Sequence, residues 1–473
     1  VLISVLALAL VAQDSIAGSF EDSDAWLAAH AAELQQINQR IWSAAEVGLQ
    51  EHESSATLIA FLEQNGFAVT RGVAGMPTAF VAEIGNGQPI VGILAEYDAL
   101  PGVSQAAAPE RGAREGGPDA GHACGHSLFG TASTAGAIAA ATVARGRGLA
   151  GTIRLYGTPA EETGIGKVYM ARAGLFDDLD LAFHWHPADR TRSGYASSKA
   201  VVSIKFRFHG RNAHASLSPE AGRSALDAVE LMNVGVNYLR EHLKDDARVH
   251  YVITDGGGQP NVVPPTAEVW YYLRADSHAY VETILERVRK CAQGACQMTE
   301  TTVTEQMDSD LYEILPNLPL SQLFQRHLER VGPPPFDEAE RAFARRTQVD
   351  LAVVPSEPLS TVIDPLPSEF YRHPASSDVG NVSWIVPTSG FSIASYTNGA
   401  PGHSWQVVAC GGMSIGEKAL LCGARVMAAA TLESLQDPTV VADAARDFAE
   451  RTQAVQAPTS VLPPDAKAPE RIR

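Results

Sequence analysis

The sequence predicts an α/β protein in which a mostly parallel sheet sandwiched by helices is interrupted by an inserted ferredoxin-like α+β unit. Three observations carry this. The 473 residues exceed the size at which one hydrophobic core keeps growing, so at least two domains are expected. Strands alternate with helices up to about residue 196, the pattern of a parallel sheet covered on both faces. From residue 197 the order becomes βαββαβ with half-exposed alternating strands, which is the ferredoxin-like arrangement. The expected organisation is a candidate signal segment (1–20), the first part of a main domain (21–196), the inserted unit (197–306), the second part (307–440) and a tail (441–473) with a disordered end.

The elements follow in order. Apolar residues at helical spacing between Ala25 and Ile41 and from Ser54 to Leu62 predict two opening helices, and Thr78–Ile84 and Ile90–Glu96 read as strands. A Gly, Ala and Pro-rich loop reaches to about Asp119, and the small-residue run Gly130–Val143 predicts a closely packed helix. Strand Thr152–Tyr156, a helix near Val168–Ala173 and strand Leu179–Trp185 continue the alternation. In the insert, Val201–Phe208, Arg248–Thr254, Glu268–Arg274 and Met298–Val303 read as strands, and Ser224–Leu239 and Val281–Cys291 as helices. Helix Leu320–Val331, a Pro-rich excursion around Val354–Pro367, strands near Trp384–Pro387 and Phe391–Tyr396, and a helix from Ile415 to about Leu432 complete the main domain. From Ala457 the apolar content is too low to predict packing.

Composition excludes several classes. The chain is 45% hydrophobic and 19% charged, a globular balance, and its formal charge of −18 argues against nucleic acid or an anionic lipid surface as partner. Val1–Ala12 is apolar except for Ser4, too short to span a bilayer but suited to the core of an export signal, with Ser15-Ile16-Ala17 before a cleavage point. A periplasmic or secreted location is expected if that segment is a signal, and a cytoplasmic one otherwise. No stable membrane span is predicted. Five scattered cysteines do not form a disulfide framework.

The chemistry lies in four ligand-rich islands. Gly121-His122-Ala123-Cys124-Gly125-His126-Ser127 offers a thiol and an imidazole two positions apart. Thr158-Pro159-Ala160-Glu161-Glu162 gives adjacent carboxylates after a strand, where one can bind metal while the other faces a water. His184-Trp185-His186-Pro187 alternates on a strand, so only one histidine, His186, is expected at the site, with His184 structural. Pro401-Gly402-His403-Ser404-Trp405 supplies a loop histidine. Together these donors suit two divalent ions and a general base, and hence a metal-dependent hydrolase.

These islands, with Ala95-Glu96-Tyr97-Asp98-Ala99-Leu100-Pro101-Gly102, resemble the aminoacylase and carboxypeptidase group of dinuclear metallopeptidases. Gly210-Arg211-Asn212-Ala213-His214-Ala215, Gly222–Arg240, Ser376-Ser377-Asp378-Val379-Gly380 and Pro401–Gln406 resemble its p-aminobenzoyl-glutamate hydrolase branch. The resemblance covers most of residues 25–435. It implies a zinc-peptidase-like catalytic domain and an inserted lid that also dimerises. Cys124 is implied as the ligand shared by both ions, His126 and His186 as ligands of one, Glu162 and His403 of the other, and Glu161 as general base. Asp98 and Asp378 are implied to orient ligand imidazoles, and His214 to reach the partner's site and steady the oxyanion. Asn261 and Arg274 are candidates for the substrate carboxylate. Where older members of the superfamily have a histidine this chain has Glu96, and where they have a carboxylate it has Cys124. Thiolate favours zinc while carboxylate and imidazole also suit manganese, so both metals stay open.

The expected activity is hydrolysis of the amide bond of N-acyl or N-aroyl amino acids, with p-aminobenzoyl-glutamate giving p-aminobenzoate and glutamate as the first choice. A broader aminoacylase or dipeptidase is the rival within the same chemistry. A cysteine-nucleophile hydrolase using Cys124 and His126, and a non-catalytic member of a mixed pair of chains, are the rivals outside it. The expected assembly is a homodimer, with pairing to a related second chain as the other arrangement.

Overall fold

The computed structural model describes residues 2–471, with side chains from residue 16. The strands are β1 (Ala68–Arg71), β2 (Phe80–Asn86), β3 (Ile90–Ala95), β4 (Gly151–Gly157), β5 (Leu181–Ala188), β6 (Arg192–Ser193), β7 (Ala196–Ser197), β8 (Ala200–His209), β9 (Arg248–Asp255), β10 (Thr266–Ala275), β11 (Thr302–Leu311), β12 (Tyr371–Arg372) and β13 (Thr388–Ala394). The larger sheet runs β1-β2-β4-β3-β5-β13-β6. Its centre, β4-β3-β5-β13, is parallel, and antiparallel strands close both edges.

Small residues decide how the helices cover this sheet. Helix His126–Arg147 is rich in Ala, Gly, Ser and Thr and packs on helix Ser414–Gln436. A Cβ on Gly136 would come within 2.8 Å of the Met427 Cβ, so the two backbones approach more closely than larger side chains permit. By length and hydropathy His126–Arg147 could cross a membrane, yet it is enclosed by the core. The first helix, Leu2–Ala29, is continuous through Ile16 and Ala17, and Ser19, Ser23 and Leu27 are fully buried against the body. The side chains of the apolar stretch 1–12 lie outside the described residues.

The inserted unit folds on its own core. Its antiparallel sheet, β11-β8-β10-β9, is covered on one face by helices Ala225–Arg240 and His278–Thr299, completing βαββαβ. The helix runs on past Met298 to Thr299 and the last strand begins only at Thr302, because Glu300 in the left-handed region (φ 53°) ends the helix there.

Other expectations need correction. Trp384–Pro387, expected as a strand, is the turn after a short helix Val379–Ser383, and the strand begins at Thr388. An additional helix, Glu338–Thr347, opens with a capping box between Asp337 and Glu340. The tail is not loose: helix Pro438–Ala454 is followed by an extended stretch in which Leu462 is buried, Arg172 donates to the Pro463 carbonyl at 2.7 Å, and Val461 N–H donates to Asp310 at 2.8 Å.

Candidate metal centre

Three strand ends, a helix start and a late loop converge. β3 ends at Ala95 and delivers Glu96 and Asp98, and β4 ends at Gly157 and turns through Ala160 (φ 55°) to Glu161 and Glu162. β5 carries His186. Cys124 precedes helix His126–Arg147, which begins at His126. Gly125 has φ 81°, and a Cβ there would come within 2.8 Å of the Pro187 Cβ, so this loop can close on β5 only as glycine. His403 (φ 62°) donates its backbone N–H to the Ala123 carbonyl at 2.9 Å, which fastens the late loop to the cysteine loop.

The donor atoms of Cys124, His126 and His186 lie within 4.8 Å of one another, as do those of Cys124, Glu162 and His403. Two three-donor clusters thus share one sulfur. Cys124 Sγ is 3.3 Å from His186 Nε2, and His403 Nε2 is 3.3 Å from Glu162 Oε2. The outer nitrogens are already engaged. His126 Nδ1 donates to Asp98 at 2.9 Å and His186 Nδ1 to the Pro187 carbonyl at 2.7 Å, which leaves Nε2 of each ring as the nitrogen available to a metal. Asp98 also accepts from Glu162 N–H at 3.0 Å, so one carboxylate orients both clusters. His126 Nε2 and Glu162 Oε1 are buried without a hydrogen bond among the described residues. Convergent thiol, imidazole and carboxylate donors with such orphaned atoms fit divalent cations.

Electrostatics agree with a site made for cations. Burial, with Glu162 beside it, pushes the Cys124 thiol up, so a metal is what would make it a thiolate. Burial works against a charged His126, but Cys124 and Asp98 outweigh it and raise its pKa. Burial and the charge on His126 lower His186 to about 3. Glu161 is raised well above the usual carboxylate range by burial, then by Glu96 and Asp378, and its Oε2 stands 4.0 Å from His126 Nε2. Bound cations would pull it back toward the ionised form.

Asp378 does not orient an imidazole as expected. It accepts from Lys167 twice, from Nζ at 2.6 Å and from the backbone N–H at 2.9 Å. The same ammonium is 2.7 Å from Glu96 Oε1, whose other oxygen is 3.2 Å from His126 Nε2. Lys167 is wholly buried, a role that sequence reasoning does not single out. Its signal is a lysine in an otherwise apolar turn of Gly164-Ile165-Gly166-Lys167-Val168 directly after the carboxylate pair. Glu51 likewise escapes the sequence pattern: buried, it accepts from Ala160 N–H at 2.8 Å and Thr78 Oγ1 at 2.9 Å and so holds the turn before Glu161. Burial and Asp98 raise its pKa to about 8. His122, buried, contacts the Ile41 carbonyl, and His184 lies over Gly390 of β13.

The site opens into a cavity of about 670 Å³ between the main sheet and the inserted unit, lined by Arg274 of β10 among others. Asn261 and His214 are not brought there. Both lie exposed on two adjoining loops of the insert, where Ala215 N–H donates to the Asn261 carbonyl and His214 pairs with Val262 across an isolated bridge.

A family model described as a peptidase dimerisation domain matches residues 196–297. The chain is similar to the B chain of the p-aminobenzoyl-glutamate hydrolase of Escherichia coli (strain K12), with 40% identity over 426 residues, or 85% of this chain and 89% of that protein. It is similar to the Xaa-Arg dipeptidase of Homo sapiens, with 28% identity covering 89% of this chain and 90% of that one. Among solved structures, a dinuclear metal-binding peptidase of the M20 family from Bacillus subtilis shares the fold with a TM-score of 0.55, at 19% identity over 86% of this chain and 99% of its own.

Proposed function

Because the chain belongs to the M20 metallopeptidase family, we propose that it is a dinuclear zinc or manganese amidohydrolase that splits N-aroyl or N-acyl amino acids, p-aminobenzoyl-glutamate first among them. One observation carries the reading: two donor clusters share Cys124, with Glu161 beside them on the floor of a substrate-sized cavity. Cys124, His126 and His186 would hold one ion, and Cys124, Glu162 and His403 the other. When bound, such ions polarise an amide carbonyl and acidify water. Glu161 takes the proton of the attacking water and returns it to the leaving amine. Asp98 fixes the His126 ring and the Glu162 backbone, and Arg274 binds the substrate's α-carboxylate.

His214 completes the site of a second copy. Its Nδ1 accepts from the backbone N–H groups of Ser216 and Leu217, which leaves Nε2–H free to donate to the oxyanion. The outer face of helix Ala225–Arg240, with Leu231, Val234 and Tyr238 exposed, and the β9 edge, with Val252 and Ile253 exposed, form an apolar surface suited to a homodimer. A related second chain could use the same face.

A hydrolysis panel on protein loaded with zinc or manganese tests the reading. p-Aminobenzoyl-glutamate should be cleaved, a chelator should stop the reaction and metal should restore it. Glu161→Gln should keep its metal, by elemental analysis, and lose about 10²- to 10⁴-fold in kcat. Simple N-acyl amino acids cut while p-aminobenzoyl-glutamate survives would shift the assignment to a broader aminoacylase. Activity that survives the chelator but not thiol alkylation would overturn the metal mechanism.

A further inference from the structure

Two guanidinium groups from different units of the chain line the same cavity. Arg192 belongs to β6 of the main sheet and Arg274 to β10 of the insert. Arg274 donates to Ser376 Oγ at 2.9 Å and lies 5.3 Å over the Tyr272 ring. Arg192 lies 5.5 Å over the Tyr371 ring. Among the described residues neither arginine has a carboxylate within ion-pair distance. Other partly buried arginines of this chain do: Arg154 pairs with Glu83 and Asp178, and Arg451 with Asp447. A guanidinium cannot shed its proton, so a half-buried one without a counter-ion is a standing electrostatic cost that an anionic ligand relieves.

The segment 371–376 links the two. It begins at Tyr371, under Arg192, and ends at Ser376, bonded to Arg274, a separation of at most about 18 Å for five extended residues. Between them His373 lines the cavity. Its Nδ1 accepts from Ala375 N–H at 3.2 Å, leaving Nε2–H as a donor. Burial and the nearby Arg192 charge lower the His373 pKa, a sign that ring and guanidinium share one pocket.

We propose that Arg192, with Tyr371 and His373, forms a second carboxylate subsite, so that the amino acid released is an acidic one whose side-chain carboxylate pairs with Arg192 while its α-carboxylate pairs with Arg274. This rests on the amidohydrolase reading above and narrows its substrate to dianionic N-acyl amino acids. A fork-shaped donor over an aromatic ring recognises a carboxylate in two contacts, whereas an amide of the same shape offers one acceptor and a repelled NH₂.

The test compares N-benzoyl-glutamate with the isosteric N-benzoyl-glutamine on the metal-loaded full chain, and glutarate with butyrate by calorimetry. The wild type should favour the glutamate substrate by about 10- to 100-fold in kcat/KM, the worth of one charge-assisted contact. Arg192→Met should erase that preference by costing the glutamate substrate far more in kcat/KM than the glutamine substrate, and Arg192→Lys should restore part of it. Glutarate should bind more tightly than butyrate only when Arg192 is present. Equal losses on both substrates in Arg192→Met, or a wild type indifferent to the side-chain charge, would overturn the subsite while leaving the hydrolase standing. No turnover of any amide, with glutarate binding still dependent on Arg192, would leave the subsite standing and sink the hydrolase.

Discussion

Lys167 places a fully buried ammonium between Glu96 and Asp378, and this charge triad borders His126 of the donor clusters. Lys167→Met should leave two buried carboxylates without their cation and destabilise the protein by about 3–5 kcal/mol, read as a lower urea midpoint. A midpoint unchanged from wild type would mean that the carboxylates are neutral and the ion pairs ornamental. The clustered donors are readable from sequence because they come in islands at strand ends, where a sheet collects them. Lys167 is not, since a lysine at a helix start is ordinarily solvated and only its distant partner Asp378 shows otherwise. The same distance hides the role of Asp378, whose neighbours in sequence, Ser376 and Ser377, say nothing of an ammonium contributed from residue 167.

The exposed loop that carries His214 does not line the cavity of its own chain, so its proposed action in a partner's site is testable by mixing. Neither His214→Ala nor Glu161→Gln alone should support turnover, yet heterodimers formed from the two should regain one intact site and up to about half the wild-type rate. Recovery that never exceeds the sum of the separate variants would remove His214 from the partner's site. Strands are legible where one face is buried, as along β8 and β10, and least legible at the sheet edges. Helix Glu338–Thr347 is hidden because prolines at 333–335 suggest only irregular chain, although Asp337 and Glu340 spell its cap. The tail packs against expectation because composition undercounts what a single anchored Leu462 and a few backbone hydrogen bonds can hold in place.

Asp310 joins the three parts of the molecule. It is 2.7 Å from His278 at the start of an insert helix, it accepts from Val461 of the tail, and its carbonyl accepts from Asn381 of the main domain. Burial opposes a charged His278, but Asp310 and Glu282 outweigh it and raise its pKa above the ordinary 6.5. A histidine whose folded pKa exceeds its unfolded one adds stability that is complete below 6.5 and is lost as pH rises through the folded value. His278→Gln should therefore cost more in melting temperature at mildly acidic pH than at alkaline pH. An equal cost at both would assign the dependence elsewhere. The division into a split main domain and one insert follows from the changing strand pattern, whereas the clamp at Asp310 depends on contacts that no local pattern encodes. The backbone link from His403 to Ala123 also has a bearing on biosynthesis. Because His403 is translated long after Cys124, a nascent polypeptide on the ribosome lacks one side of the cage until nearly the whole chain has emerged. The cluster of Cys124, Glu162 and His403 is therefore completed late, after the donors Cys124, His126 and His186 have all been made.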